Sequence, residues 1–246
     1  MVDVARVKTG ISGLDFMLNG GVPEGNQILI AGGPGAGKTL MGFEILYRNA
    51  LAGVKGAFIS LVEKPDMLLK NAKFAFKGFT DIDDMVKNGE IIIDGEDPAS
   101  KLQTQSDSAM YSFGNIISDI ESIIKQNNAK CVVIDSISLM KMVLNDNFNY
   151  RKSMLLLSES LHRLGVTAFL TVEVDFSDRS KLKYSTEFFI FDGIIMLYQL
   201  GKEDRRTLTA EIVKMRGSNH SWALSPYEIT EKGFKVYTVE QMGENL

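Results

Sequence analysis

The chain has 246 residues, of which 45% are hydrophobic and 24% are charged, and its formal net charge at pH 7 is −4. These fractions are typical of a folded globular protein and exclude an intrinsically disordered chain. The length is enough to bury a full core without disulfides or metals, and the acidic balance argues against binding to polyanions through bulk charge.

Short apolar runs alternate with longer amphipathic stretches along the chain. The runs predict strands at residues 28–30, 57–62, 91–93, 131–134, 166–172, 193–198, 206–215 and 234–237. Helical spacing predicts helices at 38–51, 64–76, 109–126 and 153–164, and the polar stretch 97–108 predicts a loop. Strands joined by helices of this length imply right-handed crossovers. We therefore predict an α/β fold: a mostly parallel twisted sheet flanked by helices, with antiparallel strands added near the C-terminus. No Pro/Gly-rich linker divides residues 1–246, which predicts a single domain.

The number of cysteines and the hydropathy of the chain indicate the cellular compartment of the protein. Cys131 is the only cysteine, which excludes an internal disulfide and a four-cysteine zinc site. The apolar runs are far shorter than the roughly 20 residues of a membrane span, and residues 1–9 contain no apolar signal region. The sequence therefore predicts a cytoplasmic protein with no membrane partner.

The clearest motif is GGPGAGKT at residues 32–39, which matches G-x-x-x-x-G-K-[ST] between a predicted strand and a predicted helix. Its glycines allow successive backbone N–H groups to face phosphate oxygens, and the helix N-terminus adds positive potential. The alternative, a glycine-rich connector, does not require this flanking pattern. The predicted nucleotide-binding residues are Gly33, Pro34, Gly35, Ala36, Gly37, Lys38, Thr39 and Leu40.

A magnesium site is predicted from the same motif and a later strand. The Thr39 hydroxyl is placed to bind Mg²⁺, and Asp135 ends the apolar strand 131–134 as a second oxygen ligand. The alternative for Asp135 is an ordinary carboxylate in a turn. The predicted cofactors are ATP or ADP and Mg²⁺.

Several further segments, in order, resemble the KaiC-like branch of the RecA/RadA ATPases. They are VKTGISGLD at 7–15, GGVPEG at 20–25, FISLVEKP at 58–65, VIDS at 133–136, DGIIML at 192–197 and IVKMRGSNH at 212–220. The resemblance covers nearly the whole chain. Because only one such domain fits, the chain is similar to the single-domain members of this branch, which are of archaeal type. It implies a RecA-like P-loop NTPase core and nucleotide sites shared between subunits of a hexamer or other homo-oligomer.

The resemblance implies a catalytic role for Lys214 and Arg216, which lie two residues apart on a predicted strand and so share one face. Two cations there can reach a neighbour's γ-phosphate in trans. The alternative is a solvated basic edge of the sheet.

One position departs from the family pattern. The family usually has adjacent glutamates after the second strand, and the first of these, which orients the attacking water, is replaced here by Val62. Adjacent side chains of a strand point to opposite faces, so Glu63 takes over only if the turn before Pro65 redirects it. The resemblance therefore predicts a slow ATPase, with ordinary activity through Glu63 as the alternative.

Three functions remain open at this point. The first is an oligomeric ATPase, and the second is a nucleotide-gated switch that binds a protein partner with little turnover. The third, which is not favoured, is a RadA-type DNA-binding accessory of recombination. Glu173 is a candidate γ-phosphate sensor or a surface carboxylate, and the segments 139–150 and 174–186 are candidate DNA-binding loops with little net positive charge.

Overall fold

A nine-stranded sheet forms the centre of this computed structural model, which describes residues 5–95, 109–144, 146–174, 185–201 and 206–238. The strands are β1 Arg6–Val7, β2 Val22–Pro23, β3 Gln27–Gly32, β4 Gly56–Ser60, β5 Ile91–Gly95, β6 Cys131–Asp135, β7 Thr167–Glu173, β8 Gly193–Leu200, β9 Thr207–Met215, β10 Ser225–Thr230 and β11 Gly233–Val236. The helices are α1 Ser12–Met17, α2 Lys38–Leu51, α3 Pro65–Ala75, α4 Ile82–Lys87, α5 Ala109–Asn127, α6 Ser138–Leu144, α7 Asn147–Leu164 and α8 Thr186–Ile190.

The strand order confirms the predicted fold class. The sheet runs β11-β10-β9-β8-β3-β7-β6-β4-β5, and the six strands from β8 to β5 are parallel. Strands β9, β10 and β11 join antiparallel, while β1 and β2 form a separate pair. The chain thus has an α/β fold with a mostly parallel sheet and antiparallel C-terminal strands.

Helices cover both faces of the sheet, which explains why the central strands are apolar throughout. Ile28 and Ile30 of β3 pack into a core that includes residues of α1 and α2. Leu29 and Ala31, which point the other way, pack into a second core that includes residues of α5 and α7. The alternation of a strand therefore divides β3 between two hydrophobic cores.

Several predicted boundaries need correction. The candidate loop at 139–150 is largely helical, because α6 occupies Ser138–Leu144 and α7 begins at Asn147 rather than at residue 153. The Asp146 carboxylate caps α7 by accepting hydrogen bonds from the N–H groups of Phe148 and Asn149, a typical helix start. Strand β4 ends at Ser60, two residues before the predicted end. The predicted loop at 97–108 and residues 175–184 of the other candidate loop lie outside the described residues.

A buried carboxylate joins α2 to the C-terminal hairpin of β10 and β11. Glu44 is 1% exposed, and its carboxylate accepts hydrogen bonds from Phe234 N at 2.6 Å and from Arg48 at 3.1 Å. Burial raises the pKa of Glu44. The close approach of the hairpin requires glycine at 233, where φ is +117° and an added Cβ would lie 2.2 Å from Glu44 Oε1.

We expect Gly233→Ala to lower the free energy of unfolding by about 2–4 kcal/mol, because the methyl group adds a clash to an unfavourable φ. Urea denaturation of the nucleotide-free protein measures this loss. The matched control is Gly53→Ala. Gly53 has a φ of +79°, but no atom lies within 4 Å of a Cβ added there. It should cost only about 1–2 kcal/mol. Equal losses in the two variants would contradict the close contact at Glu44.

Candidate functional site

A cleft of about 540 Å³ opens where the parallel strands β3, β4, β6 and β7 end. Ligands of open α/β sheets bind outside the carboxyl ends of the strands, and this cleft has that location. The residues that line it are Pro34, Gly35, Gly37, Lys38, Thr39, Leu40, Val62, Glu63, Asp135, Ser136, Ser138, Leu139 and Glu173. Predicted residues from four separate segments, residues 33–40, Glu63, Asp135 and Glu173, are thus brought together.

The GGPGAGKT segment forms the turn from β3 into α2. Gly35 and Gly37 have φ values of +75° and +85°, which glycine adopts without strain. Lys38, the first residue of α2, is 9% exposed, and its Nζ donates to Gly33 O at 3.0 Å. Burial lowers the pKa of Lys38, an effect that the negative charges of Glu173 and Asp135 oppose. A buried lysine amine therefore lies at the start of a 14-residue helix, where anions bind well.

The Asp135 carboxylate lies at the end of β6, where two threonine hydroxyls donate hydrogen bonds to it. Thr39 Oγ1 lies 2.9 Å from Asp135 Oδ2, and Thr171 Oγ1 donates to Asp135 Oδ1. Asp135 is 6% exposed, and burial raises its pKa. The sequence analysis did not identify Thr171. The alternation of side chains along a strand could have found it, because Thr171 lies two residues before Glu173 on β7 and so points to the same side of the strand.

The turn after β4 brings both Val62 and Glu63 to the cleft. The expected alternation of neighbouring side chains fails here because the strand has already ended at Ser60. Val62 is 51% exposed. The Glu63 carboxylate accepts a hydrogen bond from Asn71 Nδ2 at 2.7 Å, and its backbone N–H donates to Ser60 Oγ at 2.9 Å. The turn thus redirects Glu63, but α3 already holds its carboxylate.

Glu173 ends β7, pairs with Gly32 at the start of the phosphate loop, and lines the cleft. Its backbone N–H donates to Ser138 Oγ at 2.7 Å, which ties the end of β7 to the start of α6. Its exposed carboxylate is close enough to Lys38 to raise the pKa of that amine. The predicted sensor position is therefore inside the cleft.

Lys214 and Arg216 do not line this cleft; they lie at the end of β9 and reach α8. Their nitrogens donate to carbonyls at the C-terminal end of α8: Lys214 Nζ to Phe188 O and Phe191 O, and Arg216 to Phe189 O and Ile190 O. Cations stabilise a helix C-terminus in this way, because its last carbonyls lack helical partners. The two side chains share one side, as predicted, and burial lowers the pKa of Lys214.

A magnesium ion fits the donor set. Mg²⁺ prefers hard oxygen ligands, keeps several waters, and binds to proteins through one or two carboxylates together with substrate phosphates. Thr39 and Asp135 offer a hydroxyl and a carboxylate on the wall of the cleft, next to the amides of the phosphate loop. Within the described residues, no cluster of three or more His, Cys, Asp or Glu side chains forms a complete cage of protein ligands. The pair is therefore suited to a metal that arrives with phosphate.

A family model described as "ATPase: KaiC" matches residues 7–241. The chain belongs to the KaiC ATPase family. A crystal structure of a KaiC-like protein from Pyrococcus horikoshii superposes with a TM-score of 0.80 at 33% identity, covering 96% of this chain and all of that one. The UPF0273 protein of Aeropyrum pernix is 34% identical and covers 96% of this chain and 94% of its own length.

The clock proteins of the KaiC family are longer than this chain. The circadian clock protein KaiC3 of Synechocystis is 30% identical over 93% of this chain, but this match spans only 45% of KaiC3. The chain therefore spans about half the length of the clock proteins it matches. Membership of the KaiC family makes it a P-loop ATPase homologue and implies nucleotide binding. None of the helices in the described parts of the chain is long and apolar enough to cross a membrane.

We expect Asp135→Asn to raise the free energy of unfolding of the nucleotide-free protein at pH 7 by on the order of 1 kcal/mol, because it removes a buried charge. The folded-state pKa of Asp135 lies above its unfolded value, so the cost in stability begins as the pH rises through the unfolded pKa and is complete above the folded pKa. The gain should therefore shrink as the pH falls and vanish below about 3.9.

Urea denaturation between pH 3 and pH 8 measures this gain. The control is Asp119→Asn, which neutralises an exposed carboxylate on α5 and should change stability by less than about 0.5 kcal/mol. If Asp135→Asn destabilises the protein at pH 7, the two threonine hydrogen bonds outweigh the cost of burying the charge.

Proposed function

We propose that this protein binds Mg·ATP as one domain and acts as a slow ATPase or nucleotide-gated switch, with sites shared between identical subunits. One observation carries the proposal: Thr39 is hydrogen-bonded to Asp135 in a cleft that Lys38 and Val62 also line, and the family resemblance implies a water-orienting glutamate at the position of Val62. The means to bind nucleotide are therefore assembled, while the means to activate water are reduced.

The phosphate loop would provide most of the contacts with the nucleotide. The backbone amides of residues 33–40 and the N-terminus of α2 would hold the phosphates, and Lys38 would move from Gly33 O to the β- and γ-phosphates. Thr39 and Asp135 would hold Mg²⁺, which neutralises charge that develops on the phosphates during transfer. Because the cleft buries these groups, their electrostatic interactions are stronger than in water.

Hydrolysis also needs a group that orients water. Val62 has no atom that accepts a proton. Glu63 and Glu173 both line the cleft, yet Glu63 is held by Asn71, and Glu173 lies beside the cation of Lys38. A positioned general base contributes about 10²–10⁴-fold to rate, so we propose that turnover is slow. Glu63 is the residue best placed to support what remains.

Val62→Glu should raise ATP turnover at saturating Mg·ATP by at least tenfold, because the new carboxylate faces the cleft and is able to orient water. Steady-state phosphate release measures this, with Lys38→Ala as the blank. The matched control is Val62→Gln, which adds nearly the same volume without a base and should leave turnover unchanged.

Two results would contradict this explanation of Val62. Wild-type turnover that Val62→Glu does not raise would mean that another group already activates water, and Glu63→Gln would then be expected to abolish turnover. An equal rise in Val62→Glu and Val62→Gln would mean that polarity, rather than basicity, limits the reaction.

The proposal that sites are shared is supported by the location of Lys214 and Arg216. Both cations lie at the end of β9 and outside the cleft of their own chain, so a role in catalysis requires the cleft of another copy. A site of this kind uses a head-to-tail contact, which closes into a ring such as a hexamer. A protein partner that reads the nucleotide state is part of the switch proposal.

Mixing two inactive variants tests this arrangement, in the Val62→Glu background so that turnover is measurable. Lys38→Ala subunits lack the phosphate site, and Arg216→Ala subunits lack the cation. After co-assembly, about a quarter of the interfaces pair an intact phosphate loop with an intact Arg216, so we expect activity to return to roughly that fraction.

Each variant assembled alone is the control and should remain inactive. Absence of recovery, with nucleotide binding retained by Arg216→Ala, would mean that Arg216 acts only on α8 of its own chain. The sharing of sites would then be wrong, while nucleotide binding would stand.

A further inference from the structure

Two carbonyl groups of the phosphate loop accept hydrogen bonds from side chains that come from the C-terminal strands. Gln199 Nε2, on β8, donates to Pro34 O at 3.0 Å. The Tyr227 hydroxyl, on β10, donates to Ala36 O at 2.6 Å. Neither Gln199 nor Tyr227 is among the residues that line the nucleotide cleft, so both act on the loop from outside it.

The rigidity of the peptide bond gives these contacts a consequence inside the cleft. A trans peptide is planar, with its C=O and the following N–H on opposite sides. A hydrogen bond that fixes Ala36 O therefore fixes the direction of the Gly37 N–H. In the same way, the bond to Pro34 O fixes the direction of the Gly35 N–H.

The loop needs such restraint because of the glycines that make it possible. Gly35 and Gly37 both have positive φ and lack side chains, so the peptides next to them rotate at little steric cost. An unrestrained loop would turn its amides away from phosphate in part of the population, and binding would have to reverse this. The hydrogen bonds to Pro34 O and Ala36 O lower the free energy that binding must spend on ordering the loop, because they order it before the nucleotide arrives.

Packing supports the same arrangement. An added Cβ at Gly37 would lie 2.7 Å from Ile229 Cδ1 and 3.1 Å from Phe234 Cζ, so the β10–β11 hairpin lies directly against the loop. Tyr227 is 3% exposed, and burial raises the pKa of its hydroxyl, which therefore stays protonated and able to donate. The hairpin is in turn joined to α2 through Glu44 and Phe234 N.

We propose that Tyr227 and Gln199 are positioning residues that aim the Gly37 and Gly35 amides at the phosphates of the bound nucleotide. The inference rests on the proposed nucleotide binding and extends it to residues of the C-terminal strands. It makes affinity for phosphate a property of the antiparallel end of the sheet as well as of the loop.

Tyr227→Phe removes one hydroxyl and keeps the ring. We expect Mg·ADP and Mg·ATP to bind at least fivefold more weakly by calorimetric titration, and turnover at saturating nucleotide to change less than twofold. The matched control is Tyr237→Phe, because the Tyr237 hydroxyl donates its hydrogen bond to Glu228 Oε2 on the same hairpin instead of to the phosphate loop. It should bind nucleotide as the wild type does.

NMR signals of the backbone amides distinguish an effect on the orientation of the loop amides from an effect on protein stability. They are recorded on the nucleotide-free protein. Tyr227→Phe should shift or broaden the Gly37 amide signal, and Gln199→Met should do the same to the Gly35 signal. A purely structural role would lower the thermal midpoint while leaving affinity and both amides unchanged, and that outcome would overturn the proposal. Gln199 is partly exposed, so its variant still gives an answer if Tyr227→Phe fails to fold.

The same titrations separate this inference from the proposed function. Wild-type protein that binds nucleotide no better than Lys38→Ala would overturn both. Wild-type protein that binds well, together with variants at 199 and 227 that bind equally well, would overturn only the positioning role.

Discussion

The cleft depends on two buried groups of opposite charge, the Lys38 amine and the Asp135 carboxylate, which lose their hydration without forming a close pair. Burial shifts the pKa of each toward its neutral form. Hydrogen bonds to Gly33 O and from the two threonines offset part of the loss, as does the attraction between the two charges. In the proposed complex, the triphosphate would oppose the charge of Lys38 and a divalent cation that of Asp135, so joint binding would be favoured over the binding of either alone.

The parts of the fold and site that could be predicted were those with local signals. Periodicity gave the bounds of α2, and GGPGAGKT identified the phosphate loop, because strand, turn and helix are adjacent in sequence. The short helix α8 and strand β10 lack enough periodic residues to be recognised. Thr171 was missed although strand alternation places it on the same side as Glu173. Gln199 and Tyr227 were missed for another reason: they contact residues 165 and 191 positions away, and nothing in the sequence around them indicates that contact.

Under the proposed sharing of sites, Lys214 and Arg216 would serve both the fold and the reaction. Their hydrogen bonds to the last carbonyls of α8 hold in place the helix that follows residues 175–184. A role at a neighbour's phosphate would require them to share or exchange these bonds. The position of α8 would then depend on what the neighbouring subunit has bound, because the same cations cannot satisfy both sets of acceptors fully.

The strand order has a consequence for how the chain acquires its binding site. Strand β3 lies between β7 and β8, and the loop after it rests on β10 and β11, so residues 27–44 meet partners that follow more than 130 positions later. Such contacts are slow to form because long segments must close first. During synthesis on the ribosome, the phosphate loop emerges well before β10 and β11, which support it. On the proposed positioning role, full affinity for nucleotide would therefore arise only after the residues of β10 and β11 have been made and have folded against the loop.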